Sequence, residues 1–307
     1  MTTADPSTDS PVPPPGGTPT PGGLAPLAGR TVARIGFGAM QLEQRAVPRD
    51  AAVAVLRQAV RAGVNHIDTA QFYGEGNAFI RAALAPYAAD LVLVSKVGAE
   101  RDAGGALIPA QRPGQLRDQV EANLTSLGAE RVDVVNLRRL DERPGLIAEG
   151  DQRVDLDSQL AELSALRDAG KIGGIGLSAV SADQLGHALA AGIACVQNSY
   201  SLLSRFHEPT LDLCRAHDIA WVPFFPLGSG FPGRPKVTDN PVVIAIAKEH
   251  GVTPAQVALA WLLAHDDRTL LIPGTASPAH LTENLAAGSV RLARESIAEL
   301  DRLAPAG

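Results

Sequence analysis

Short apolar runs followed by helical periods recur along this 307-residue chain, and that alternation leaves few folds open to it. TVARIGFGAMQL supplies the first strand material, and the helix after it runs from about Pro48 to Gly63. HIDTA (66–70) leads to a helix near 76–85, and LVLVSK (91–96) leads, after a long polar loop, to a helix with Leu116, Val120, Leu124 and Leu127 on one face. VDVVNLRRL (132–140) precedes the helix carrying Leu160, Leu163 and Leu166, and IGGIGLS (172–178) precedes a helix over 182–191. CVQNSY (195–200) is followed by a helix near 208–217, IAWVPFFPLG (219–228) by helices near 240–249 and 254–263, and LLIPGT (270–275) by a helix over 278–286. The count is eight β-then-α units, with an additional helix over 293–303.

Eight such units build either a closed barrel or a doubly wound open sheet, and the polar residues decide between them. Asp68, Lys96, Arg138, Ser178, Gln197 and Thr275 each stand at the C-terminal end of a different strand. A barrel converges those ends on one mouth, whereas an open sheet spreads them along a line. The expectation is an α/β fold, a single (β/α)8 TIM barrel over residues 29–307. Residues 1–28 hold eight of the 23 prolines and no apolar run long enough for a signal-peptide core or a membrane span, so they read as a disordered tail.

A net charge of −6 with no basic stripe excludes a nucleic-acid partner. Cys195 and Cys214 are isolated, which argues against a disulfide framework or a thiolate metal site and fits a reducing, cytoplasmic compartment.

HIDTAQFYGEG (66–76) puts Asp68 at the end of an apolar run and Tyr73 five residues later. A lone carboxylate there is often only a cap for the next helix. Its partner is Lys96, one of four lysines against 23 arginines, placed at another apolar strand end where an unpaired lysine would be costly. A phenol, an ammonium that stabilises its phenolate and a carboxylate that holds the ammonium make a proton-donor set. A Schiff-base aldolase also places a lone lysine at a barrel strand end, but it gives no reason for Asp68 and Tyr73. A dinucleotide fingerprint fails, because Gly36 and Gly38 are followed by Gln41 where a third glycine belongs. GSGFPGRPK (228–236) offers Gly228, Gly230, Gly233, Arg234 and Lys236 either as an anion cradle or as a flexible surface loop.

In order and spacing, GFGAMQL, HIDTAQFYGEG, LVSKVG, QNSYSLLSR, PFFPLG and IPGTASPAHLTENLAA resemble the aldo-keto reductase superfamily, from about Arg30 to the C-terminus. The resemblance implies a barrel that binds NADP(H) and reduces a small-molecule aldehyde or ketone by hydride transfer. It makes Asp68, Tyr73 and Lys96 three of four catalytic residues, with Tyr73 as the proton donor. Where the family has His in a D-L-Y-L-x-H segment, this chain reads DVVNLR and has Arg138. Arginine keeps its proton, so Arg138 either polarises a carbonyl oxygen or holds an anionic substituent, or else turns aside to pair with Asp141.

For the cofactor, the resemblance implies Gly38 and Met40 at the first strand end, Ser178 and Gln197 on the carboxamide, and Tyr200 stacked on the nicotinamide ring. Leu227, Gly228 and Ser229 would lie along the pyrophosphate, Gly274, Thr275 and His280 near the 2′-phosphate, and Glu283 and Asn284 on the adenine side. Ala179 stands where the family has Asn, with Asn198 as the expected substitute. DVVNLR, VPFFPLG and IPGT together resemble a bacterial subgroup associated with pyridoxal reduction, with Phe72, Phe224 or Phe225 as a wall for the ring. A general small-aldehyde reductase and a nicotinamide-binding regulatory barrel with little turnover are the alternatives.

Overall fold

A parallel strand exposes its edge until a neighbour covers it, so the way this sheet closes governs everything it positions. The computed structural model describes residues 20–43, 47–141, 145–228 and 235–303. It opens with an antiparallel hairpin, β1 (Leu24–Leu27) and β2 (Arg30–Ala33), followed by β3 (Phe37–Gly38), α1 (Arg49–Arg61), β4 (His66–Asp68), α2 (Gly76–Leu84) and β5 (Val92–Val97). A second hairpin, β6 (Ala99–Arg101) and β7 (Leu107–Pro109), interrupts the alternation. It resumes with α3 (Pro113–Leu127), β8 (Val132–Arg138), α4 (Leu156–Asp168), β9 (Ile172–Ser178), α5 (Ala182–Ala188), β10 (Ile193–Gln197), α6 (Glu208–Ala216) and β11 (Ala220–Trp221). Helices α7 (Pro241–His250), α8 (Pro254–His265), α9 (Pro278–Ala286) and α10 (Arg294–Asp301) complete the described chain.

Seven strands pair in parallel in the order β3, β4, β5, β8, β9, β10, β11. Residues 269–271 fill the eighth position and bridge both edges, Leu271 to Ile35 beside β3 and Thr269 to Trp221 in β11. The backbone N–H of Leu271 donates to Arg34 at 2.7 Å, that of Gly36 to Leu271 at 2.8 Å and that of Leu270 to Trp221 at 2.8 Å. The sheet is therefore closed, and the fold is the (β/α)8 barrel. Two glycines make the closing approach: a Cβ on Gly38 would press into the Ile272 carbonyl, and one on Gly274 into the Gly38 carbonyl.

Period-two alternation sorts the strand residues onto two faces. Val94, Val134, Cys195, Ala220, Val222 and Leu270 point into the barrel and form one buried cluster with Ala25, Leu27 and Val32, so the first hairpin plugs the barrel at its N-terminal end. Ile67, Leu93, Val135, Ile175, Val196 and Trp221 point outward into the larger cluster shared with the helices. The functional mouth is left at the opposite, C-terminal end.

Two expectations are corrected here. The ordered barrel does not begin at Gly29: Leu24–Leu27 is already a strand, with Ala25 and Leu27 buried on its inner face while Pro26 takes an outer position on a two-stranded edge. Residues 1–19 lie outside the described residues. The long polar loop after Lys96 is the β6–β7 hairpin, its turn made by Asp102, whose carboxylate accepts the N–H groups of Gly104 and Ala106. No helix among the described residues is long and apolar enough to cross a membrane.

Candidate active site

Five inward-facing strand ends bring the polar groups of the mouth together. Asp68 closes β4 and Lys96 lies near the end of β5, both buried. The Lys96 ammonium donates to Asp68 Oδ1 and, at 3.0 Å, to the Thr69 carbonyl. It also lies 5.2 Å from the centre of the Tyr73 ring. Burial works against the ammonium, but the facing Asp68 carboxylate and Tyr73 outweigh it and raise the Lys96 pKa. Lys96 therefore stays charged under the half-buried Tyr73 phenol.

The strand ends are held from outside by amides that sequence reasoning missed. Thr69 donates to Asn77 at 2.8 Å and Ser95 to Asn123 at 2.7 Å, while Asn77 on α2 donates to Asn123 on α3 at 3.0 Å. Thr69 and Ser95 are the sequence neighbours of Asp68 and Lys96 with opposite strand parity, and that was the available signal.

Arg138 ends β8 in register with Ser178 of β9, with its guanidinium carbon 5.8 Å from the centre of the Phe72 ring. Burial lowers its pKa, with Tyr73 acting in the opposite direction, and a guanidinium so placed remains charged. It does not pair with Asp141, whose carboxylate is taken by Arg139 at 2.7 and 3.0 Å. Asn136, on the same inward face, lies deeper and accepts from the Cys195 thiol at 3.3 Å. His66 is also inward, packed over Gly36, with neither ring nitrogen in a close hydrogen bond among the described residues; burial pushes its pKa down to about 4, against a smaller opposing pull from the Ala33 backbone.

Gln197, at the end of β10, is buried and donates through Nε2 to Asp68 Oδ2 at 2.6 Å. A carboxylate only accepts, so the amide must turn its nitrogen to Asp68 and leave Oε1 facing away. That oxygen is buried without a hydrogen-bond partner among the described residues. A group with a buried N–H donor, such as a carboxamide, fits there, next to the buried Ser178.

Two expected cofactor residues face elsewhere. From the inward Cys195, alternation makes Gln197 inward and Tyr200 outward, and Tyr200 is buried between Trp221 and Trp261 with its hydroxyl bonded to Glu208 and His265. Its pKa is raised by burial and by Glu208, and its ring does not line the mouth. Asn198 is also outward: it accepts the Val180 N–H at 3.0 Å and donates to the Val180 carbonyl at 2.7 Å. It clamps the turn that holds Ala179 at a φ of 56° and is no substitute for the missing Asn. The aromatic ring with inward parity is Phe224, two residues after the inward Val222, half-buried and bridged to Ser199.

The remaining expected contacts ring the mouth. Met40 is exposed on a 3-10 turn after β3, above the Gly38–Gly274 seam. Leu227 and Gly228 stand at a turn pinned by a bridge from Gly228 to Lys236, while Ser229, Gly230, Gly233 and Arg234 lie outside the described residues. Thr275 accepts the Ser277 N–H at 3.0 Å, and Ser277 caps α9 by accepting the N–H of the exposed His280. Glu283 accepts from Thr253 at 2.6 Å, and Asn284 is half-buried on the same helix.

A model of the aldo/keto reductase family matches residues 34–305. Over 283 residues, covering 90% of this chain and 96% of the relative, the chain is 42% identical to pyridoxine 4-dehydrogenase of Escherichia coli K12. An aldo-keto reductase from Klebsiella pneumoniae solved in complex with NADPH superposes with a TM-score of 0.75 at 28% identity, covering 90% of this chain and 92% of that one. A thermostable aldo-keto reductase in complex with the inhibitor epalrestat superposes with a TM-score of 0.76 at 27% identity, covering 91% and 99%.

Proposed function

The chain belongs to the aldo/keto reductase family, and on that premise we propose that it reduces an aldehyde with NADPH, with Tyr73 as proton donor and pyridoxal as the preferred substrate. The observation that carries the reading is the contact of Tyr73, Lys96 and Asp68 at the mouth of the barrel. The unpartnered Gln197 Oε1 beside Ser178 suits a nicotinamide carboxamide, and Phe224 offers the flat face that Tyr200 does not. When bound, the reduced nicotinamide supplies the hydride.

The chain's own residues handle the proton. As negative charge builds on the carbonyl oxygen, the Tyr73 hydroxyl donates to it, and the Lys96 ammonium stabilises the phenolate left behind. Asp68 keeps Lys96 protonated and aimed. Arg138 replaces the family's histidine with a permanent cation braced on Phe72. Pyridoxal carries an acidic phenol beside its aldehyde, and a fixed guanidinium holds a phenolate where an imidazole would be only partly charged. The 42% identity to a pyridoxine 4-dehydrogenase supports the same substrate.

Purified protein with NADPH, followed at the nicotinamide absorbance band, tests this. The expected result is a kcat/KM for pyridoxal at least ~10-fold above that for benzaldehyde, and a selective loss of pyridoxal activity in Arg138→His, since one charge-assisted contact is worth about 1.5–3 kcal/mol. Equal efficiency on both aldehydes, or equal effects of Arg138→His on both, removes pyridoxal and leaves a general aldehyde reductase.

A further inference from the structure

Gln197 touches the proton-donor set on a side that carboxamide recognition does not require. One oxygen of Asp68 receives the Lys96 ammonium and the other receives the Gln197 amide at 2.6 Å. A single carboxylate is thus shared between a cation and a neutral donor. We propose that Gln197 is a positioning residue for the proton donor, setting through Asp68 how much of the Lys96 charge is left for Tyr73.

The amide draws negative density toward Oδ2 and so loosens the hold of Oδ1 on the ammonium. Lys96 Nζ lies 5.2 Å from the centre of the Tyr73 ring, and a less tightly claimed ammonium exerts a stronger field on that phenol. Without the amide, Asp68 claims Lys96 more fully. The other groups around this set are accounted for on each strand. From β8, Arg138 faces Tyr73. From β10, the Cys195 thiol lies in the field of Asp68 and Lys96 and is kept neutral by burial. On β4 itself, His66 is neutral. Thr69 contributes only its carbonyl, to Lys96. Among the described residues, Gln197 is therefore the one neutral side chain that competes with Lys96 for Asp68.

The proposal rests on Tyr73 being the proton donor, and the test separates the two ideas by reading the phenol in protein without substrate or cofactor. The chain has three tyrosines; burial pushes Tyr87 up to about 12 and Tyr200 higher still, out of the range to be read. Ultraviolet phenolate titration, with Tyr73→Phe to assign the transition, then follows one group. Gln197→Met keeps the length and removes the donor; Gln197→Asn keeps an amide too short to reach and serves if the Met variant does not fold. The expected result is an upward move of the Tyr73 transition by roughly one pH unit, with an unchanged near-ultraviolet circular dichroism spectrum. The alkaline limb of the kcat profile for carbonyl reduction, where a proton donor is lost, should follow in the same direction. A Tyr73 transition unchanged in a folded variant overturns the proposal, and so does a move accompanied by an altered near-ultraviolet circular dichroism spectrum, which would mark general loosening. Absence of turnover in the parent with an intact Gln197 effect would instead count against the reductase reading alone.

Discussion

Tyrosine is a weak acid at neutral pH, so a phenol used as a proton donor depends on its neighbours. Tyr73→Phe removes only the hydroxyl and leaves the ring beside Lys96 and Phe72. NADPH affinity should stay within about 2-fold while turnover falls by roughly 10²-fold or more, read by fluorescence titration and steady-state rates. Undiminished turnover would take the proton-donor role away from Tyr73. Asp68 and Lys96 were legible in the sequence because a carboxylate and a rare lysine at two apolar strand ends explain each other, and Arg138 because DVVNLR places it where the family has His. Tyr200 misled because its residue type suits cofactor stacking while its parity, counted from Cys195, turns it outward toward Trp261. The Gln197–Asp68 bond joins groups 129 residues apart, and no local pattern announces it.

At the scale of elements, α9 carries the question of which dinucleotide is used. Its first turn holds no acidic residue, and its cap, Ser277, and the preceding Thr275 each accept a backbone N–H, leaving both hydroxyl protons free to donate. A helix N-terminus so furnished favours a 2′-phosphate without a long cation. NADPH should bind at least ~10-fold tighter than NADH, and His280→Arg should widen the gap. Equal dissociation constants would contradict this account of α9. The boundaries of α7, α8 and α9 were readable because Asn240, Thr253 and Ser277 cap helices that each begin with proline. The hairpins β1–β2 and β6–β7 were not, since strands of three or four residues show too little periodicity to stand out from a proline-rich tail or a polar loop. Yet β6 matters to the mouth: Arg101 donates to the Phe72 carbonyl at 2.9 Å and pairs with Glu43, so the hairpin braces the turn that carries Tyr73.

For the whole molecule, acid sensitivity has an identifiable internal source. His66 is buried and neutral, with its pKa lowered from 6.5 to about 4, so between those values the unfolded chain binds the extra proton. Its contribution to stability is complete above pH 6.5 and is lost as pH falls toward 4, to the order of 3 kcal/mol. His66→Leu should flatten that limb of a denaturant-midpoint curve while carboxylates govern what remains below it; an unchanged limb would mean that the ring is hydrated. The barrel as a whole was legible because polar residues at six strand ends agreed on one mouth, a global regularity that no single misread residue could undo.

The seam at Gly38 and Gly274 also fixes an order of events. A ribosome delivers the chain from its N-terminus, so β3 and later β11 stay open edges until residues 269–271 emerge to bridge Ile35 and Trp221. Among the described helices, α9 and α10 follow that segment. For most of its synthesis this protein is an unclosed sheet, and the nascent chain must keep both edges from other strands until the last stave arrives.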